Sequence, residues 1–385
     1  MRIRIKKALA ILAGLIVAGV IGAVLFAWSG VYNVAASAGH WAVVSAFLEL
    51  AMRSSVRTYS LGIETPPLDD IVMIRRGLGH YQGGCAICHG SPAEPLNPIA
   101  MQMLPPPPFL PDKVHEWTPP RLFWMVKHGL KYTAMPAWPA ENRDDEIWSV
   151  VAFLVRMPEM SAEEYRRLAR GETGGSEPDV DARAQLIARA GAVGGTLIAC
   201  GRCHGLRGEG GGEGAFPRLA GQKQEYLFES LRSYAAAARP SGIMQPIAAE
   251  LAEDEMRALA VFYASMDASL PMQGQAQDAA TLAFGATIAE RGVPEFRVPP
   301  CAPCHGAARH GGSTFPLYPR LAGQSAEYLV QQLRLWREGV RGGTPVSNVM
   351  TAVASALTDE QIEAVAAYYA SLENNPAPGP AQPVR

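Results

Sequence analysis

The chain has 385 residues and a formal net charge of −2. That length accommodates roughly two to four ordinary domains. The near-neutral balance excludes a nucleic-acid-binding surface, which needs a clear basic excess, and gives no strong overall field for steering a charged partner.

In chain order, the first feature is an uncharged apolar run from Ala8 to Trp28, 21 residues long. At about 1.5 Å per residue it matches the roughly 30 Å hydrocarbon core of a bilayer. Arg2, Arg4, Lys6 and Lys7 precede it, and no charge follows until Glu49. The positive-inside rule therefore leaves the N-terminus cytoplasmic and exports the rest. A cleavable signal peptide ending at Ala36-Ser37-Ala38 is the competing reading. The run exceeds the roughly 7–15 residues of a typical signal core, and that site lies about ten residues beyond the run's end. The expectation is an uncleaved transmembrane anchor at 1–30 and a juxtamembrane segment at 31–70.

All six cysteines fall into one motif written three times: Cys85-Ala-Ile-Cys88-His89, Cys200-Gly-Arg-Cys203-His204 and Cys301-Ala-Pro-Cys304-His305. Each motif has a methionine downstream: Met135, Met244 and Met350. Twelve residues after each methionine starts an apolar stripe of helical period. The stripes are Ile147, Val150, Val151, Leu154; Met256, Leu259, Ala260, Tyr263; and Ile362, Val365, Ala366, Tyr369, each on one helix face. Thr358 and Gln361 read as a capping box opening the last helix. Pro217-Arg-Leu-Ala-Gly-Gln with Glu225-Tyr226-Leu227 recurs at Pro319 with Glu327-Tyr328-Leu329, so the second and third modules are duplicates. The expected modules are 71–160, 183–270 and 280–373. Linkers are expected at 161–182 (around Thr173-Gly-Gly-Ser-Glu-Pro) and 271–279, with a disordered proline-rich tail at 374–385.

A Cys-x-x-Cys-His segment opening a helix offers two thiols to the two vinyl groups of a haem and an imidazole to its iron, the signature of c-type haem attachment. A zinc site would need four ligands, and a thioredoxin-like redox pair does not need the adjoining histidine. Three copies predict three covalently bound haems, through Cys85, Cys88, Cys200, Cys203, Cys301 and Cys304. His89, His204 and His305 are then one axial ligand of each iron, and Met135, Met244 and Met350 the other. A His/Met pair raises the potential and suits electron transfer. Met101 and Met103, and His115 or His128, are competitors for the first iron. A proximal histidine needs a carbonyl to fix its second ring nitrogen. The repeat positions Pro217 and Pro319 are candidates through their backbone carbonyls, as is one of Pro105 to Pro108. The remaining histidines, His40, His80, His115, His128 and His310, read mostly as surface or loop residues. Arg218 and Arg320 read either as partners of haem propionates or as solvated or interfacial arginines. The glycine-rich Gly208–Gly214 stretch reads as a loop.

These residues resemble the class I cytochrome c superfamily over nearly everything after the apolar run. The second and third modules, with Phe216-Pro-Arg-Leu-Ala-Gly-Gln222 and Tyr318-Pro-Arg-Leu-Ala-Gly-Gln324, look like the tandem domains of cytochrome c4. The first, with Trp124-Met-Val-Lys-His-Gly129 and Met135-Pro-Ala-Trp138, looks like membrane-tethered single-haem cytochromes of bacteria. The resemblance implies an all-α chain of three small cytochrome c domains, working as an electron carrier in a periplasmic respiratory chain. The leading expectation is transfer from a quinol-oxidising complex to a terminal oxidase. The alternative is the cytochrome subunit of a membrane-bound alcohol or sugar dehydrogenase. A peroxidase-type enzyme is disfavoured, because it needs an open iron and every module offers a methionine.

Overall fold

The computed structural model describes residues 2–170, 180–211, 214–267, 277–306, 315–344 and 346–372. Among them there is no strand, only three isolated antiparallel bridges, so the all-α expectation holds. Helix α1 (Arg2–Ser29) carries the apolar run, and none of its apolar window is buried against protein. Helix α2 (Ala42–Tyr59) ties the following segment to the first module, with Val56 fully buried and Tyr59 stacked on Trp124 at 5.9 Å.

The first module comprises α3 (Ile71–His80), α4 (Ala86–His89), α5 (Leu110–Lys113), α6 (Pro119–His128), α7 (Asp144–Arg156) and α8 (Ala162–Ala169). Asp70 caps α3 by accepting from the Val72 amide at 2.9 Å, satisfying an otherwise orphaned donor. Three acidic residues open α7, where the helix dipole favours them. The stripe Ile147, Val150, Val151, Leu154 is buried. At Gly77 the backbones of α3 and α7 touch: a Cβ there would lie 1.8 Å from the Ser149 carbonyl oxygen.

The second module follows with α9 (Val180–Ala190), α10 (Gly194–His204), α11 (Gln224–Ala235), α12 (Met244–Ala249) and α13 (Glu253–Ala264). The third has α14 (Ala279–Arg291), α15 (Ala302–His305), α16 (Ala326–Arg337), α17 (Ser347–Ser355) and α18 (Asp359–Ser371). Thr358 and Gln361 form the capping box, at 3.2 and 3.0 Å. The α13 and α18 stripes are buried, and three separate apolar cores result, one per module. The duplication extends to the backbone. The Gly221 amide donates to the Tyr263 carbonyl at 3.0 Å, and Gly323 to Tyr369 at 2.9 Å.

One stretch expected as linker, 161–182, is partly built into the first module. Tyr165 on α8 is buried in that core, and its hydroxyl bonds Gln82. Apolar burial there outweighs the polar composition that suggested a linker. Thr173 to Pro178, residues 271–276 and the 374–385 tail lie outside the described residues.

The seam between the second and third modules is built by the repeated glutamine. Gln222 donates to the Arg320 carbonyl (3.0 Å) and accepts from its amide (2.9 Å); Gln324 does the same for Arg218, at 3.0 and 2.8 Å. The two contacts are reciprocal. The first module also touches both partners: Arg143 donates to the Pro240 carbonyl at 2.7 Å, and Asp145 accepts from Gln331.

Candidate haem sites

In the first two modules the motif closes a helical segment rather than opening one, contrary to the expectation; in the third, Cys301 stands at the N-cap of the four-residue α15, so the motif both opens and closes it. The segment ends on the histidine, and a glycine follows at φ +66 (Gly90), +79 (Gly205) or +84 (Gly306). These angles favour glycine, because a Cβ crowds the backbone there. The chain turns away sharply and leaves the imidazole at the end of the segment.

Each imidazole is then oriented by a proline carbonyl. Nδ1 lies 3.0 Å from the Pro108 oxygen for His89, 2.9 Å from Pro217 for His204, and 2.9 Å from Pro319 for His305. A carbonyl can only accept, so Nδ1 carries the proton and Nε2 keeps its lone pair. Burial lowers the pKa of all three histidines, against the opposing pull of the carbonyl. They are neutral near pH 7, the form that binds a metal.

None of the six cysteines is joined to another by a disulfide. Burial pushes Cys85 up to about 12, with Cys88 adding to it, and raises Cys203 and Cys301 to about 11. Among the described residues no three His, Cys, Asp or Glu side chains gather as a metal cluster. The donor set fits a haem c, which the two cysteines would hold through thioethers and to whose iron the histidine would offer Nε2. Bound there, a haem c supplies a one-electron Fe(III)/Fe(II) couple.

Met135, Met244 and Met350 are half-buried. The Met135 amide is held by the Thr133 hydroxyl at 3.1 Å, and the Met244 amide by the Ser241 hydroxyl at 3.1 Å. His115 and His128 are exposed, and His40 accepts from or donates to the Tyr32 hydroxyl at 2.9 Å. His310 lies outside the described residues. His80, expected at the surface, is buried at the end of α3. Arg218 and Arg320 lie at the seam between modules, where Arg320 donates to the Gly221 carbonyl at 3.0 Å.

Sequence reasoning missed the tyrosines that brace the motif. Tyr81 donates to the Gly90 carbonyl at 2.6 Å, and Tyr369 to the corresponding Gly306 carbonyl at 2.9 Å, from different helices. The first module has Leu154 where the third has Tyr369, so its brace comes instead from Tyr81, directly after α3. It also missed Glu146, buried on the polar side of α7's stripe, whose carboxylate meets only donors. Burial raises its pKa, while Arg143, Ser241 and the Gly242 amide pull it back.

Parts of the chain are similar to known families and proteins. A family model for the cbb3-type cytochrome c oxidase subunit III matches residues 72–154, and one for cytochrome c matches 192–267 and 289–373. The chain is 39% identical to the thiosulfate dehydrogenase electron acceptor of Stutzerimonas stutzeri (strain A1501) over 189 residues, 49% of this chain and 85% of that protein. It is 34% identical to cytochrome c4 of Thiocapsa roseopersicina over 173 residues, 45% and 86% of the two chains. The crystal structure of reduced recombinant cytochrome c4 from Pseudomonas stutzeri aligns with 51% of this chain and 100% of its own, at 27% identity and a TM-score of 0.42. The chain belongs to the class I c-type cytochromes, with c4-like modules. Covalently bound haem c follows from that membership, and the three motifs fit three haems.

Proposed function

We propose that the chain is a membrane-anchored three-haem electron wire on the periplasmic side of the cytoplasmic membrane. It carries electrons from a quinol-oxidising complex to a terminal oxidase. The observation that supports this most is the threefold repetition of one site, with each imidazole held by a proline carbonyl, behind a helix apolar enough to span a bilayer. In this reading Cys85 and Cys88, Cys200 and Cys203, and Cys301 and Cys304 hold the haems. His89 with Met135, His204 with Met244, and His305 with Met350 ligate the irons, and Pro108, Pro217 and Pro319 orient the histidines. The protein's part is to keep water off the iron and fix the ligands, so that little rearranges when the charge changes.

A second reading makes the chain the electron-accepting subunit of an exported dehydrogenase. The similarity to a protein named as an electron acceptor of thiosulfate dehydrogenase favours it. Purification from detergent-solubilised membranes, followed by haem reduction with quinol or with dehydrogenase substrates, separates the two. The wire reading expects co-purification with quinol-oxidising or oxidase subunits and quinol-dependent reduction. A stoichiometric dehydrogenase and substrate-dependent reduction support the second instead. A chain without covalent haem defeats both.

A further inference from the structure

The first module reaches into the second at the loop that leads to Met244. Glu146, at the start of α7, is only 3% exposed, and its carboxylate meets four donors. Arg143 (2.9 Å) and the Ser241 hydroxyl (2.7 Å) meet Oε1; the Gly242 amide (2.7 Å) and Trp138 Nε1 (3.2 Å) meet Oε2. An amide in its place would turn an N–H toward other N–H or O–H groups whichever way it flipped. The Ser241 hydroxyl gives its single proton to Glu146, so its lone pairs face back into its own loop. There they accept from the Met244 amide at 3.1 Å and the Ile243 amide at 3.3 Å. Two hydrogen bonds therefore connect a carboxylate of the first module to the backbone of Met244.

The surrounding contacts close the same junction. The Trp138 indole, three residues after Met135, packs against Gly242, where a Cβ would sit 2.1 Å from Nε1. On α3 a Cβ at Gly79 would lie 2.6 Å from Phe216 Cζ and 3.4 Å from Cys203 Sγ. The two glycines let the modules approach within side-chain contact at both the methionine loop and the cysteine of the second site.

We propose that Glu146 is a positioning residue for the second haem's sulfur ligand, acting across the module boundary through Ser241, at a junction where Trp138 joins the first and second methionine loops. The second haem then takes its working potential only while the first module is docked. A haem held at each of the two sites would supply a one-electron couple, and Glu146 and Ser241 would act only by holding the Met244 backbone. The inference rests on the reading of Met244 as the second iron's ligand.

The test uses the full-length haem-loaded protein in detergent, read by spectroelectrochemical titration and by the red sulfur-to-iron band. Met244→His identifies which of the three potentials belongs to the second haem. Ser241→Ala and Glu146→Gln should both move that same potential and perturb the band, with three covalent haems retained and the third haem's potential unchanged. Ser241→Thr, which keeps the hydroxyl, should restore the parent value. The double variant should move it no further than the larger single change, because both break one link. Ser241→Ala decides the matter if Glu146→Gln does not fold. Unchanged potentials in Ser241→Ala, beside a shifted one in Met244→His, overturn the relay but leave the ligand reading standing. Equal shifts of all three potentials also overturn it, since that reports general loosening. No shift in Met244→His overturns the ligand reading itself.

Discussion

At the scale of single residues, the site works by leaving one atom of each imidazole free. The proline carbonyls take Nδ1–H of His89, His204 and His305, so Nε2 alone faces a metal. If Met135, Met244 and Met350 are the opposite ligands, replacing one by Ala removes a thioether that favours ferrous iron. The haem should stay covalently attached and its potential should fall. The red sulfur-to-iron band should lose that one haem's share. An unchanged band with three unchanged potentials would make the methionine a packing residue. His80 gives a second prediction. Neither of its ring nitrogens has a partner among the described residues. Burial first, then Arg76 and Arg143, holds its pKa well below the ordinary value. The unfolded chain therefore binds the extra proton. The histidine's contribution is complete above about pH 6.5 and is lost as pH falls below it. His80→Leu should flatten that acid-side decline. Denaturant unfolding of the haem-loaded protein across roughly pH 5 to 7 measures it, and an unaltered slope would refute the account.

At the scale of elements, two helix crossings hold the outer modules by backbone contact. A Cβ at Gly77 would meet the Ser149 carbonyl at 1.8 Å, and one at Gly285 the Ala364 carbonyl at 2.0 Å. Neither obstacle is a side chain that can swing aside. Gly77→Ala and Gly285→Ala should each cost about 1–3 kcal/mol, toward the upper end, by forcing the helices apart. Gly83→Ala is the control, since a Cβ there meets nothing within 4 Å. Thermal unfolding with haem incorporation as a second readout checks the series. If Gly77→Ala melts like the control, α3 and α7 are not in the contact described.

At the scale of the whole molecule, the modules are joined by polar contacts of unusual symmetry. Gln222 and Gln324 are buried and each satisfies an amide and a carbonyl of the opposite module's arginine. Truncating either to Ala strands two backbone groups, at about 1–3 kcal/mol for each group left unsatisfied in the buried seam. Gln222→Ala with Gln324→Ala should loosen the second module from the third without unfolding either. Small-angle scattering should show a larger radius, and limited proteolysis should cut between the modules. Unchanged scattering and cleavage would mean that the remaining seam contacts, such as Ser325 to the Gly214 carbonyl and Arg239 to Tyr328, hold the modules together without the glutamines.

The sequence by itself determined the three attachment motifs, the shared interval from methionine to final helix, the duplication and the apolar first helix. Each is a local pattern whose chemistry or period needs no partner: two cysteines and a histidine in five residues, or a stripe at i, i+3, i+4, i+7. The proline carbonyls near the histidines were also legible, because a repeat brings the same position back twice. The tertiary structure alone decided what lies between modules. Nothing local marks Glu146 as buried, since three acids opening a helix read as a solvated first turn. The adjacent Asp145 and Glu146 are enclosed only because Pro240, Ser241, Gly242 and Gln331 arrive from elsewhere in the chain. Likewise the repeated Gln222 and Gln324 show a pattern in sequence but no purpose until two modules face each other. Burial of a polar group depends on contacts distant in sequence, and periodicity along a single helix carries no record of them.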